Sequence, residues 1–309
     1  MNHSVFLTNQ FTKPITPLLL PQWHIVPGWE MNQLTEKHLC IAMASTVWDK
    51  LDADCLAQFP NLKTICHLGI GTDNIDKAYL AEHDIKLLSQ PNAGIHDTAE
   101  LALTLMLSLA RKILPNHNYT RNNEWIERKP RFTGNHLFGK RLGLVGLGKI
   151  GATIASFAEA FKMNISYTTR TPKETPYAYY SNVKELAKNS DFLIICCAST
   201  SETYHLINEE VLENLGKKGY LINVARGSIV DQDALIHALS HEKIAGAGLD
   251  VFSNEPEVPL ALRSLDNVVL SPHMGSSTHE NLEAMFQLQA YQLNTYLKEL
   301  SMMENTSIS

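Results

Sequence analysis

The chain has 309 residues, 44% of them hydrophobic, with 26 basic against 32 acidic side chains and a formal net charge of −6. At roughly 150 residues per domain, that length predicts two domains, each with its own core, and argues against a disordered chain. The negative charge offers no electrostatic footprint for a polyanion or an acidic membrane surface, so neither nucleic acid nor membrane is an expected partner.

The stretch from Met1 to Leu20 carries only Lys13 as a basic residue, and Pro14 and Pro17 interrupt it, so it reads as a poor secretory signal. No run approaches the ~18 apolar residues of a spanning helix, and a cytoplasmic protein is expected. The five cysteines, Cys40, Cys55, Cys66, Cys196 and Cys197, show no C-x-x-C spacing. They read as reduced residues, and no metal site is predicted.

Short apolar runs alternate with helix-length amphipathic stretches, the pattern of βαβ units around a parallel sheet. The first predicted strands cover residues 4–8, 23–26, 39–44, 63–68 and 85–89. A helix over 98–113 follows, apolar on all sides and expected to be buried. Residues 116–138 turn polar and lose periodicity, which predicts an extended arm carrying Trp125 and Phe132. A second series of strands is predicted at 142–145, 164–168, 191–197, 219–224, 244–249 and 268–271. One long helix ends the pattern, opened by a capping box of Ser277 and Glu280 and striped by Leu282, Met285, Phe286, Leu293, Tyr296 and Leu297. No strand follows it, so the first sheet is its expected host. Residues 301–309 read as a polar, frayed tail.

The strand at 142–145 runs into Gly146, Gly148 and Gly151 in the segment GLVGLGKIG, where Lys149 and Ile150 open a helix. Glycines at this spacing serve a tight turn, close backbone approach to a pyrophosphate, and close packing of helix on strand. The reading is a dinucleotide-binding turn. The predicted fold class is thus α/β, with two doubly wound parallel-sheet domains. A Rossmann cofactor domain, residues 98–276, is inserted into a flavodoxin-like substrate domain made of residues 1–97 and 277–309.

Cofactor choice is read about 20 residues beyond the glycines, where an acid would hold a ribose 2′-hydroxyl. No Asp or Glu occurs from Lys162 to Lys173, and the strand end instead carries Thr169, Arg170, Thr171 and Lys173. Arg170 suits a 2′-phosphate, so NADP(H) is the expected cofactor and NAD(H) the alternative. Solvated loop charges are the competing reading of Arg170 and Lys173.

Three later strands end on groups suited to chemistry, at the carboxyl edge where open α/β sheets bind ligands. Arg226 follows the strand at 219–224, Asp250 and Glu255 follow 244–249, and His273 follows 268–271. Taken singly, each could be an ordinary loop charge or turn cap. Jointly they fit hydride chemistry on a 2-oxo acid. Arg226 would grip the carboxylate and polarise the carbonyl, His273 would give the proton, and Glu255 would orient the imidazole.

The segments GLVGLGKIG, NVARGSIVDQDAL, GAGLDVFSNEP and LSPHMGSST resemble the signature blocks of the D-isomer-specific 2-hydroxyacid dehydrogenases, and LGIGTDNID and NAGIHDTAELAL match that family's N-terminal blocks. The resemblance runs from about residue 40 to about residue 297. It implies that Arg226, Glu255 and His273 are the catalytic set and that Asp250 sits near the nicotinamide. It further implies that the amides of Ile70 and Gly71 receive the substrate carboxylate, and that Thr98 and Cys197 contact the cofactor. The region around Tyr167 to Lys173 and the run EPEVPLALRSLDNVVLSPH are similar to the NADPH-dependent glyoxylate, hydroxypyruvate and hydroxyphenylpyruvate reductases of the family. Glu255 and the single helix after His273 speak against its formate dehydrogenase and phosphoglycerate dehydrogenase branches. Ala198, Ser199 and Thr200 depart from the family's usual Pro-Leu-Thr run.

The expected reaction is NADPH-dependent reduction of glyoxylate, hydroxypyruvate or an aryl pyruvate to the D-2-hydroxy acid. The alternative is a non-catalytic NAD(P)-sensing protein of the corepressor kind on the same fold. Trp48, beside Ser45 and Thr46, reads equally as a pocket aromatic and as a core anchor. The corresponding arm lies in a dimer interface in the resembling family, so a homodimer anchored by Trp125 and Phe132 is expected.

Overall fold

The computed structural model describes residues 4–30 and 36–306. The chain divides into two compact units, Met1–Gly94 with Ser276–Ser309, and Ile95–Gly275. Gly94 and Ser276, where the chain leaves and re-enters the first unit, touch. A Cβ on Gly94 would lie 2.4 Å from the Cβ of Ser276, and the Gly94 N–H donates to Asn281 Oδ1 at 2.9 Å.

The first unit holds strands β1 (Ser4–Leu7), β2 (His24–Pro27), β3 (Cys40–Thr46), β4 (Thr64–Leu68) and β5 (Lys86–Leu88). Among the described residues they form an all-parallel sheet in the order β2-β1-β3-β4-β5. Strands covered on both faces should be apolar at every position, and β1 and β4 are buried throughout. Alternation along β1 sends Val5 and Leu7 to one face and Phe6 to the other. The Val5 face packs on Ala290, Leu293 and Leu297 of the last helix, His279–Thr306, and the Phe6 face packs on Met43, Leu56, Ile65 and Leu80. Polar ties fix the helix as well, with Gln289 Nε2 donating to the carbonyls of Ser45 and Cys66.

The second unit holds β6 (Arg141–Val145), β7 (Asn164–Thr168), β8 (Ala178–Tyr179), β9 (Phe192–Ile195), β10 (Tyr220–Asn223), β11 (Gly246–Leu249) and β12 (Val268–Leu270). They pair in parallel in the order β12-β11-β10-β9-β6-β7-β8, so the strand order reverses at β6. The helix Ile95–Ala110 packs against the β10 to β12 side. Gly248 permits this approach, since a Cβ there would stand 3.0 Å from the Cβ of Leu105. No helix among the described residues is long and apolar enough to cross a membrane.

Several expectations need correction. The helix expected over 98–113 spans Ile95–Ala110 and stops before Lys112, which adopts a left-handed conformation with φ of 50°. Residues 116–138 are not wholly extended, because a second helix, Ile113–Arg121, covers their start. Tyr119 on it is buried, and its hydroxyl donates to the Lys129 carbonyl at 2.7 Å, so one aromatic gives this segment a local anchor that periodicity missed. Thr278, not Ser277, caps the last helix, its Oγ1 accepting from the Asn281 N–H at 3.2 Å. That helix continues to Thr306, so most of the expected tail is helical, while residues 307–309 lie outside the described residues. The strand β8, two residues long, carried too little pattern to predict. Trp48 is no core anchor. It is 47% exposed and meets Phe11 edge to face, with ring centroids 4.5 Å apart.

Candidate active site

Each glycine after β6 has its own physical reason. Gly146 adopts φ of +104°, where an L side chain is strained, and a Cβ there would lie 2.8 Å from the Cys197 backbone. Gly151, in the helix Lys149–Glu159, faces the Gly146 carbonyl so closely that a Cβ would come within 2.5 Å of that oxygen. Gly148 is different, because a Cβ there would meet nothing within 4 Å. It is the N-cap of that helix and supplies no side-chain cap, and the open space beside it suits the close approach of an anion to a helix N-terminus. The turn therefore fits the pyrophosphate of a nicotinamide dinucleotide.

Beyond β7 the chain turns tightly, with Thr169 Oγ1 donating to the Thr171 carbonyl at 2.7 Å. The buried Tyr167 hydroxyl accepts from the Lys173 N–H at 2.7 Å, and Lys173 Nζ reaches back to the Leu147 carbonyl at 2.6 Å. Lys173 thus ties the β7 turn to the glycine turn. Arg170 makes a different contact, its Nε pairing with Glu202 Oε2 at 2.9 Å. Cys197 closes the opposite flank, and burial pushes its thiol up to about 11, so it stays protonated and inert at neutral pH.

The side chains of Glu255 and His273 meet. Glu255 Oε2 accepts from His273 Nδ1 at 2.6 Å, and Glu255 Oε1 accepts from the Phe252 N–H at 2.9 Å. Burial alone would raise this carboxyl. The two hydrogen bonds and the charges of His273 and Arg226 outweigh it and hold Glu255 below the ordinary carboxylate value. An ionised carboxylate only accepts, so Nδ1 carries the proton and Nε2 is the imidazole nitrogen turned away from the pair.

The backbone at His273 is unusual. Its φ of 49° lies in the left-handed region, which costs a non-glycine residue of order 1–3 kcal/mol and persists only where its surroundings enforce it. Asp250 does the enforcing. Buried at the end of β11, it accepts from Ser271 Oγ at 2.7 Å and from the N–H groups of Met274 and Gly275, each at 2.9 Å. Its carbonyl takes the His273 N–H at 2.8 Å. Burial raises the Asp250 carboxyl against the opposing pull of those bonds. Thr98, also buried, stands with Asp250 beside Gly275, where a Cβ would come 3.2 Å from Thr98 Oγ1 and 3.3 Å from Asp250 Oδ2.

Arg226 is held by a residue that the sequence reading left out. Asn223, buried at the end of β10, donates from Nδ2 to the Arg226 carbonyl at 2.9 Å and accepts the Ala225 N–H at 3.0 Å. Next to Arg226, Gly227 runs so close to Phe252 that a Cβ would stand 2.0 Å from its carbonyl carbon. The turns bearing Arg226 and Glu255 are thereby pressed together. A buried Asn amid the apolar strand 219–224 was the available clue to the first device; the second depends on two loops meeting in space. In the other unit, the buried His67 bonds Ser45 Oγ through Nδ1 at 3.0 Å and the Gly71 carbonyl through Nε2 at 2.9 Å. It braces the turn of Ile70 and Gly71, which Gly69 enters with φ of +127°.

A profile of the D-isomer specific 2-hydroxyacid dehydrogenase NAD binding domain matches residues 103–275. The glyoxylate/hydroxypyruvate reductase HPR3 of Arabidopsis thaliana is 39% identical over 263 residues, 84% of this chain and 81% of its own length. The hydroxyphenylpyruvate reductase of Plectranthus scutellarioides is 42% identical over 238 residues, 77% of this chain and 76% of its own. Among solved structures, the NADPH-dependent glyoxylate/hydroxypyruvate reductase of Sinorhizobium meliloti, in complex with NADP and malonate, superposes with a TM-score of 0.88 at 32% identity, covering 96% of this chain and 94% of that one.

Proposed function

This chain belongs to the D-isomer specific 2-hydroxyacid dehydrogenase family, and from that premise we propose that it is an NADPH-dependent reductase of a small 2-oxo acid, with the D-2-hydroxy acid as product. Its relatives are dehydrogenases and reductases, so the non-catalytic alternative is set aside. The observation that carries the reading is the 2.6 Å bond from His273 to Glu255, which orients the ring through Nδ1 and leaves Nε2 as the nitrogen for proton transfer.

A bound nicotinamide supplies the hydride. The chain's own groups do the rest. His273 holds a proton at Nε2 for the carbonyl oxygen as negative charge develops there, and Glu255 keeps the ring oriented and charged. Arg226 fixes the substrate carboxylate, and the amides of Ile70 and Gly71 serve as further donors to it. Asp250 is a positioning residue that holds the His273 loop. Gly146, Gly148, Lys149, Ile150 and Gly151 form the pyrophosphate turn, with Thr98 and Cys197 completing the cofactor wall. Thr169, Arg170, Thr171 and Lys173 take the 2′-phosphate end. In this reading the inserted unit, Ile95–Gly275, is the cofactor domain, and the other is the substrate domain.

The named relatives and the absence of a carboxylate from Lys162 to Lys173 support NADPH and the substrate class. Oxidation of NADPH and of NADH, followed with glyoxylate, hydroxypyruvate, phenylpyruvate and 4-hydroxyphenylpyruvate, tests both. At least one acid is expected to reach a kcat/KM of about 10⁴ M⁻¹s⁻¹ or more, with NADPH the better donor. Silence on every acid removes the function, and a clear preference for NADH removes the cofactor assignment.

A homodimer is also part of the proposal. Trp125, Ile126, Phe132 and Phe138 are all at least half exposed on the segment after the helix Ile113–Arg121, an apolar set suited to burial against a second copy. Light scattering should give twice 34.6 kDa, and a mass of 34.6 kDa would refute it. Five free cysteines agree with a reducing, cytoplasmic setting.

A further inference from the structure

The end of β7, where cofactor choice is ordinarily read, has no acid of its own in the sequence. The fold brings one there from elsewhere. In the seven-stranded sheet β6 lies between β7 and β9, so the loops after those two strands flank the glycine turn on opposite sides. Arg170 follows β7 and Glu202 follows β9, and their ion pair, Nε to Oε2 at 2.9 Å, closes across the crevice where the strand order reverses. That crevice is where sheets of this kind take their ligand.

The pair is open to water, with side chains 73% and 68% exposed, so it contributes little to stability and little opposes its rearrangement. The closest approach of the pair is through Nε, the inner edge of the guanidinium.

The geometry points to Glu202 as a specificity-determining residue that works against the 2′-phosphate and in favour of the unphosphorylated cofactor. This rests on the proposal that Arg170 receives the 2′-phosphate. A dianionic phosphate has two ways to meet Arg170. It can take the Nε edge and displace Glu202, or it can take the terminal nitrogens and sit within a guanidinium's width of the carboxylate. Both disfavour NADPH. A ribose 2′-hydroxyl carries no charge, suffers neither penalty, and can donate to a carboxylate. Glu202 thus replaces in space the acid missing from β7 and moderates the preference that Arg170 creates.

The test compares kcat/KM for NADPH and NADH in wild type, Glu202→Gln and Arg170→Ala, together with calorimetric affinities for 2′,5′-ADP and AMP. Glu202→Gln should raise the NADPH to NADH ratio about two- to fivefold, the effect of an exposed ion pair. It should tighten 2′,5′-ADP without tightening AMP, and leave Tm unchanged. Arg170→Ala should lower the ratio. If it does while Glu202→Gln leaves the ratio unchanged or lowers it, the role of Glu202 is refuted and that of Arg170 stands. If Arg170→Ala leaves the ratio unchanged, the 2′-phosphate site itself is refuted and the role of Glu202 falls with it.

Discussion

Replacing His273 with Asn is expected to reduce kcat by about 10²–10⁴-fold, the usual contribution of a positioned general acid, while Tm barely moves. Asn is the appropriate substitution because position 273 has φ of 49°, a conformation in which Asn is several-fold enriched among non-glycine residues. Ala would add backbone strain to the loss of the imidazole and confuse the two effects. The loop itself should survive, since Asp250 holds it through Ser271, Met274 and Gly275 without using the His273 side chain. Glu255→Gln is the companion variant. It keeps an oxygen for Nδ1 but removes the charge, so a smaller fall of roughly tenfold is expected, about 1.4 kcal/mol. Because Glu255 is held below its ordinary value, the carboxylate that holds His273 Nδ1 stays ionised throughout the usual carboxylate range and above it. The stability that this ionised carboxylate contributes is lost as pH falls through that lowered value, and activity falls with it. The Gln variant should lack this acid limb. Steady-state kinetics beside thermal melts decide the matter, and full turnover by His273→Asn would overturn the mechanism.

The second large effect is structural. Gly227→Ala should destabilise the protein by about 3 kcal/mol or more, because its Cβ would meet backbone rather than a flexible side chain. That Cβ would stand 2.0 and 2.1 Å from the carbonyl carbon and oxygen of Phe252 and 2.4 Å from the Ser253 nitrogen. One of the two turns must retreat, and they carry Arg226 and Glu255. A fall in Tm of roughly 6–12 °C is expected at about 2–4 °C per kcal/mol, with activity lost even at temperatures where the variant is folded. Gly148→Ala is the contrast. Nothing lies within 4 Å of its added Cβ, so stability should fall by no more than the ~1 kcal/mol of a weaker N-cap, about 2–4 °C in Tm, while dinucleotide affinity falls. If Gly227→Ala melts with wild type, the close approach of the two turns is not a requirement of the fold.

Much of this protein is written in local pattern. Alternating apolar runs and amphipathic stretches determined the two parallel sheets, and the spacing of Gly146, Gly148 and Gly151 determined the dinucleotide turn. Strand ends pointed to Arg226, Glu255 and His273, because period and position relative to a strand are properties of neighbouring residues. Boundaries were less legible. The left-handed Lys112 that separates two helices and the Tyr119 hydroxyl that anchors the second leave no periodic trace.

What only the tertiary structure decided depends on groups distant in sequence meeting in space. The clamp of Asp250 on the His273 loop, the contact of Gly227 with Phe252, and the carboxylate that Glu202 brings to Arg170 are all of this kind. A sequence states which side chains are available at each strand end. The order of strands in the sheet then selects which ends are neighbours, and so which charges and backbones must accommodate one another.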